Sequence, residues 1–232
     1  MFKESDFSQL EKNSVKAQNQ LQETDFVRFE NQSGQGLRVM FVGNSITLHG
    51  YKPEIGWNGF WGMAASSKEN DYVHLLMQDI SSVHTDASFC ICQVAEWERN
   101  YKNGVSKHHL FENAAKFEAD IIVLRFIENC PHKDFDNNVF YNELDKLVGF
   151  LNSSRKAKVV ITTGFWCHPG DEVLTKYAKT NNMPLVLLGD LGEDDNMKAI
   201  GMFEHKGVAN HPGDLGMKAI AERIFECVKE IL

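Results

Sequence analysis

A serine hydroxyl lies where an apolar run near the start of the chain ends. Residues 37–42 are mostly apolar and are followed directly by Gly43, Asn44 and Ser45. This pattern is typical of a buried strand that delivers a side chain to the edge of a sheet. Because sites in open α/β sheets form beyond the carboxyl ends of the strands, Ser45 is a candidate nucleophile. Serine is also a common N-cap residue, so a capping role is the alternative.

A histidine near the other end of the chain is the matching candidate base. His211 is followed by Pro212, Gly213 and Asp214 and precedes a predicted helix. An imidazole that takes the proton of a serine hydroxyl makes that serine a nucleophile for acyl transfer. The same four-residue run begins at His168, which follows a predicted strand and is therefore the rival base.

The elements that must position these residues alternate along the chain. Apolar strands are predicted from residue 37 and over 87–94, 119–126, 157–163 and 184–188, with helices over 71–83, 104–117, 135–154, 171–181 and 213–232. Such alternation predicts an α/β fold of three layers, α/β/α, with a central parallel five-stranded sheet. A chain of 232 residues fits one such domain. We predict that residues 1–36 are an N-terminal extension and that 37–232 form the domain.

Composition excludes several partners. The net charge of −8 and the isoelectric point near 5.6 argue against nucleic acid, whose phosphates require a basic face. No apolar run approaches the roughly 20 residues that span a bilayer, so no membrane contact is expected. The first residues lack the apolar core of a signal peptide, which predicts a cytoplasmic protein.

The cysteines indicate no disulfide framework. The chain has five, an odd number, and they are expected to be reduced. Cys90 and Cys92 share one face of a predicted strand, which is typical of buried thiols. A zinc site there is the less favoured alternative.

Two blocks resemble those of a known enzyme family. Residues 43–47, Gly-Asn-Ser-Ile-Thr, resemble the opening Gly-Asp-Ser block of the SGNH (GDSL-type) hydrolases. His211 and Pro212, followed by Asp214 and Gly216, resemble the closing histidine block of that family. The resemblance covers residues 37–232. It implies the flavodoxin-like SGNH hydrolase fold and a serine esterase that needs no cofactor and no metal.

The resemblance also implies roles for particular residues. Ser45 would be the nucleophile and His211 the base. The oxyanion would be bound by the backbone N–H groups of Ser45 and Ala95, or of Val94 in place of Ala95, and by the side chain of Asn129. The family has a glycine after the strand predicted over 87–94, in the region where this chain has Val94 and Ala95. It also has glycine two residues before its asparagine, where this chain has isoleucine. A turn before Pro131 is the alternative role of Asn129.

One family position is not filled by the expected residue. The family's third triad member is an aspartate three residues before the histidine, and Val208 stands there. Glu128, Glu204 and Asp214 are candidate replacements, and a backbone carbonyl is a further one.

The predicted substrate is a small ester or an acylated sugar. A Gly- and Trp-rich stretch follows Ser45, and its Trp57 is predicted to line the substrate pocket, although a core role fits Trp57 equally well. Asn44 and His168 are predicted to line the same pocket. The residues preceding 37 are expected to pack on the domain or on a second subunit, which would make a homodimer.

Two other functions remain open. One is a catalytically weak carbohydrate-binding module on an esterase scaffold, which would bind through Trp57, Trp61 or Trp97. The other is a metal-dependent hydrolase that uses Cys167, His168 and His211, although their spacing matches no familiar ligand set.

Overall fold

The computed structural model describes residues 21–32, 35–154 and 156–232. Most of the predicted N-terminal extension, residues 1–20, lies outside the described residues, and so does its expected packing.

A six-stranded sheet forms the centre of the domain. Its strands are β1 (Val27–Glu30), β2 (Arg38–Gly43), β3 (Ser88–Gln93), β4 (Ile121–Arg125), β5 (Lys158–Thr162) and β6 (Leu185–Val186). They lie in the order β1-β3-β2-β4-β5-β6, in which β2 to β6 are parallel and β1 pairs antiparallel with β3. The predicted fold with five parallel strands is thus confirmed. The sixth strand comes from within residues 1–36, so part of the predicted extension belongs to the sheet.

Helices cover both faces of the sheet. The α-helices are α1 (Tyr72–Val83), α2 (Ala95–Arg99), α3 (Glu112–Lys116), α4 (Asn137–Leu151), α5 (Asp171–Thr180), α6 (Lys206–Ala209) and α7 (Asp214–Val228). Short 3₁₀-helices span Pro53–Ile55, Lys68–Asn70, Leu191–Glu193 and Asp195–Met197, and a longer one spans Tyr101–Phe111. The single helix predicted over 104–117 is therefore wrong, because a 3₁₀-helix ending at residue 111 is followed there by α3. No described helix combines the length and the apolar character needed to cross a membrane.

The alternation of side chains along the strands builds two cores. Met40 and Val42 of β2 point into one core, which α4 and α5 cover. Val39 and Phe41 point into the other, which α1 and α7 cover. Since both faces are covered, β2 and β4 are buried along their whole length, as their continuous apolar sequence predicts.

The end of β2 is tightly packed. A Cβ atom on Gly43 would lie 1.8 Å from Thr47 Oγ1 and 2.6 Å from the carbonyl oxygen of Arg125. Only glycine fits there, so the chain can turn sharply after β2 and bring Ser45 to the sheet edge.

Candidate active site

The structure brings Ser45 and His211 together. Ser45 Oγ lies 2.9 Å from His211 Nε2, although 166 positions separate the two residues in the chain. The carbonyl oxygen of Ser45 accepts a hydrogen bond from the backbone N–H of Met63 at 2.8 Å. The carbonyl oxygen of His211 accepts one from Ala199 N–H at 2.9 Å. The backbone of each of the two residues is therefore held by a hydrogen bond from a neighbouring loop.

A backbone carbonyl orients the imidazole. His211 Nδ1 lies 2.7 Å from the carbonyl oxygen of Gly207, in helix α6. This helix has only four residues, and His211 N–H bonds to Val208 O instead of Gly207 O, which leaves the Gly207 carbonyl for the ring. A carbonyl only accepts, so Nδ1 carries the proton and Nε2 is free to accept the proton of Ser45.

The surroundings keep the imidazole neutral. Burial lowers the pKa of His211 to about 4, with smaller contributions of the same sign from Arg125 and His49. The Gly207 carbonyl and Glu128 act in the opposite direction. The Trp166 ring packs edge-to-face against His211, with the ring centroids 5.3 Å apart. Near neutral pH the ring is therefore in the form that a general base needs.

None of the acids considered from the sequence bonds to His211 in the part of the chain that the structure describes. Glu128 instead accepts hydrogen bonds from Arg125, Phe165 N–H and Asn44. Glu204 is exposed, and Asp214 accepts from Ser66 N–H and Oγ. Of the alternatives left open by the sequence, the backbone carbonyl is the one that the geometry matches.

The rival base is fully engaged by backbone groups. The Gly170 N–H donates to His168 Nδ1 at 2.9 Å, so His168 Nε2 carries the proton and donates to the Cys130 carbonyl at 3.0 Å. His168 is also buried. Because both ring nitrogens are hydrogen-bonded to the backbone, His168 stabilises the turn before α5 and has no nitrogen left to accept a proton.

The predicted oxyanion donors surround Ser45, but they differ in availability. The Ser45 N–H makes no hydrogen bond to any described residue. The Ala95 N–H donates to the side-chain Oε1 of Gln93 at 3.1 Å. The Gln93 oxygen therefore occupies the position in which a substrate oxyanion would accept this hydrogen bond. The alternative donor, Val94 N–H, is bonded to Gly43 O. The Asn129 amide lies at the same cleft, with one N–H bonded to Glu98.

These groups line a small cleft of about 200 Å³. Its lining comprises Ser45, His49, Ile55, Met63, Gln93, Ala95, Arg99, Asn129, His205, Gly207, Val208 and His211. Asn44, Trp57 and His168 were expected to line the pocket, but all three are buried outside it. Trp57 packs against Trp61 and Phe203 in a small apolar cluster behind the cleft.

The residues on which the two other functions were based are placed differently from what those functions require. Trp97 lies in the core against Phe126 and Phe140, and Trp57 is buried, so neither presents a face to a sugar. Trp61 is half-buried, and its Nε1–H donates to Ala65 O. Groups of three or more His, Cys, Asp or Glu side chains that could hold a metal do not occur among the described residues.

Sequence reasoning missed three contributors to the site. Gln93 is the last residue of β3, Glu98 lies in the short helix α2 that follows it, and Trp166 lies in the segment after β5. That position, shared with Ser45, is the signal that could have found them.

The fold is that of known esterases. The sequence matches no protein-family model and no curated protein. A two-domain esterase active on acetylated mannans is 15% identical with a TM-score of 0.57, over 87% of this chain and 50% of that one. A member of the lipolytic protein G-D-S-L family from Veillonella parvula is 16% identical with a TM-score of 0.51, over 82% and 97%. A family two carbohydrate esterase from Clostridium thermocellum, solved as an active-site mutant, is 13% identical with a TM-score of 0.59, over 84% and 63%.

This likeness confirms, at the level of the fold, the resemblance to SGNH hydrolases that residues 43–47 and 211–216 indicated. The chain spans about half the length of the two-domain esterase.

We expect His211→Ala to lower kcat on an activated ester by about three or more orders of magnitude, because Ser45 would lose its proton acceptor. The matched control is His168→Ala, which should lower thermal stability and leave most of kcat. Steady-state kinetics and thermal unfolding of both variants make the comparison. An inactive His168→Ala beside an active His211→Ala would reverse the assignment of the base.

We expect Val208→Asp to destabilise the protein and to give no gain in activity. Val208 is fully buried among Trp57, Met63 and Ala199, so a carboxylate there would lack a partner, at a cost of about 3–5 kcal/mol. Urea unfolding and kcat measure the two effects, and Val208→Ala, which removes volume without adding charge, is the control. A folded Val208→Asp variant with a much higher kcat would mean that the carbonyl orients the base poorly.

Proposed function

We propose that the protein is a serine esterase that removes short acyl groups, acetyl in particular, from the hydroxyls of a carbohydrate or another small substrate. The observation that carries this proposal is the geometry of His211. Its Nε2 lies at hydrogen-bond distance from Ser45 Oγ while its Nδ1 is held by a carbonyl. A serine, a base and a group that orients the base are the parts that acyl transfer needs.

The reaction would begin with proton transfer from Ser45 Oγ to His211 Nε2. The serine oxygen attacks the ester carbonyl, and the tetrahedral oxyanion accepts hydrogen bonds from the Ser45 N–H and the free N–H of Asn129. The Ala95 N–H joins them when the Gln93 side chain gives way to the substrate. The imidazolium then protonates the leaving alcohol, and the acyl group stays on Ser45.

Water completes the cycle in the same site. His211 takes a proton from a water molecule, and the resulting hydroxide attacks the acyl carbonyl. The second tetrahedral intermediate collapses, the acid leaves, and the proton returns to Ser45 Oγ. The proton acceptor therefore serves both half-reactions, and water is the second substrate that balances them.

Two observations support a short acyl group on a sugar-like alcohol. The cleft holds only about 200 Å³, and the apolar side chains of Ile55, Met63 and Val208 are part of its lining. Two structural neighbours are described as an esterase active on acetylated mannans and as a carbohydrate esterase.

We expect Ser45→Ala to abolish the hydrolysis of p-nitrophenyl acetate, with a loss in kcat of about three orders of magnitude or more. The control is Ser82→Ala, at an exposed serine of α1 whose hydroxyl donates to the Asp79 carbonyl. Hydrolysis rates of the two purified variants are compared with the native chain. Hydrolysis that persists in Ser45→Ala would remove Ser45 from the mechanism.

We expect kcat/KM to fall by about tenfold or more from p-nitrophenyl acetate to the octanoate, because a long chain exceeds the cleft. Met63→Ala, which removes an apolar side chain from the cleft wall, should raise the ratio of octanoate to acetate activity. Equal rates on both esters in the native protein would contradict the preference for short acyl groups.

A further inference from the structure

A buried carboxylate lies directly behind the proposed oxyanion site. Glu98, in helix α2, is fully buried and accepts hydrogen bonds from the backbone N–H and the side-chain amide of Asn129, from Ile127 N–H and from Asn44. Burying a charged group is costly unless it has several partners. Glu98 therefore needs an explanation beyond packing.

We propose that Glu98 is a positioning residue, which holds the Asn129 amide and the backbone before it in the geometry that oxyanion binding requires. The inference rests on the esterase function proposed above and assigns to that reaction a residue outside the Ser45–His211 pair.

The hydrogen bonds to Asn129 fix the direction of its amide. Asn129 Nδ2 donates to Glu98 Oε2 at 2.8 Å, and the Arg99 guanidinium approaches Asn129 Oδ1 at 3.5 Å. A donor and an acceptor on opposite sides permit only one of the two amide orientations. In that orientation one N–H bonds to Glu98, and the other is left for a ligand in the cleft that Asn129 lines.

Glu98 also holds a strained backbone. Ile127 has φ of 142°, in the region that favours glycine, and glycine is the residue that the resembling family has there. The Ile127 N–H donates to Glu98 Oε1 at 2.7 Å, and its side chain is fully buried. Backbone strain of this kind persists only where the surroundings over-determine it. The Glu98 carboxylate thus stabilises the bend that carries Asn129, two residues later, to the cleft.

The same network explains the asparagine in the Gly-Asn-Ser block. Asn44 Nδ2 donates to Glu98 Oε1 at 3.0 Å and to Glu128 Oε2 at 2.5 Å, while Arg125 donates to Asn44 Oδ1 at 3.0 Å. A residue between two carboxylates must donate to both, which an amide does and an aspartate cannot. Asn44 therefore joins the Glu98 carboxylate to the Glu128 carboxylate in one hydrogen-bond network.

The charge of Glu98 is sensitive to pH near neutrality. Burial, and then the Glu128 carboxylate, raise the pKa of Glu98 to about 7, against the hydrogen bonds from Asn44, Asn129 and Ile127. Three other titratable groups lie near Glu98. Arg125 and Cys130 belong to β4 and the turn after it, and Arg99 is the next residue of helix α2. Only the ionised form accepts from all its donors at once, so acidification through neutrality should loosen Asn129.

The test compares Glu98→Gln with Glu143→Gln. Glu143 is also a buried glutamate; it accepts from Val105 N–H and Lys146 far from the cleft, so its loss reports a structural effect alone. In Glu98→Gln, the new NH₂ group is a donor and cannot accept the hydrogen bonds that Asn129 gives to Glu98. We expect kcat on p-nitrophenyl acetate to fall by about 10²–10³-fold with KM within about threefold, and Glu143→Gln to keep kcat within about twofold.

The pH profile separates positioning from packing. In the native protein, kcat should decline as the pH falls through about 7, the pKa of Glu98, and again near 4, the pKa of His211. Glu98→Gln should lose the first decline and keep the second. A kcat within about twofold of the native value in Glu98→Gln, or an unchanged first decline, overturns the proposal.

A measurement without turnover keeps the proposal testable by itself. In isotope-labelled native protein, the side-chain amide resonances of Asn129 should shift as Glu98 ionises, and a pH-independent signal overturns the proposal even if Glu98→Gln does not fold. Failure of the esterase function would appear differently, as hydrolysis that Ser45→Ala does not reduce. A kcat effect of Glu98→Gln equal to that of Glu143→Gln would reject positioning and leave the esterase intact.

Discussion

The pairing of β2 between β3 and β4 is the constraint on which the site depends. Its parallel register places Gly43 opposite both Gln93 and Arg125, so the three strands end at the same level. The segments that follow carry Ser45, the Ala95 N–H and Asn129 to one edge of the sheet. A shift of one residue in this register would turn every side chain to the opposite face and separate these groups. The two cores fix the register, and they therefore also fix the relative positions of Ser45, the Ala95 N–H and Asn129.

Much of this arrangement could be predicted from the sequence, because it follows from local patterns. The continuous apolar run of β4 indicated a strand buried on both faces, and alternation with helices indicated the three layers. The small and polar residues after β2 placed Ser45 at the sheet edge. The helix predicted over 104–117 was wrong because its apolar residues fit a 3₁₀-helix and a short α-helix packed on the same core.

The rest depended on burial and side-chain direction, which sequence patterns do not report. Trp57 lies beside the proposed nucleophile in the sequence, yet its ring turns into an apolar cluster behind the cleft. His168 is followed by the same three residues as His211, but backbone groups engage both of its nitrogens. The sequence indicates no role for Glu98, because an acid in a short helix is usually solvated and only tertiary packing encloses it.

The group that orients His211 is part of the main chain, and this changes what evolution can do to it. A triad aspartate is lost through a single codon change, whereas every amino acid contributes a carbonyl oxygen. A substitution at residue 207 therefore keeps the acceptor, provided that helix α6 keeps its path and that the His205 ring, which a new Cβ atom would approach to 2.9 Å, can shift. Selection on this half of the site acts on the shape of a loop, and a motif search for an acid before the histidine passes over it. Other chains in which a carbonyl orients the histidine would be recognised by a short distance from His Nδ1 to a main-chain oxygen of the preceding turn, and not by a conserved residue type.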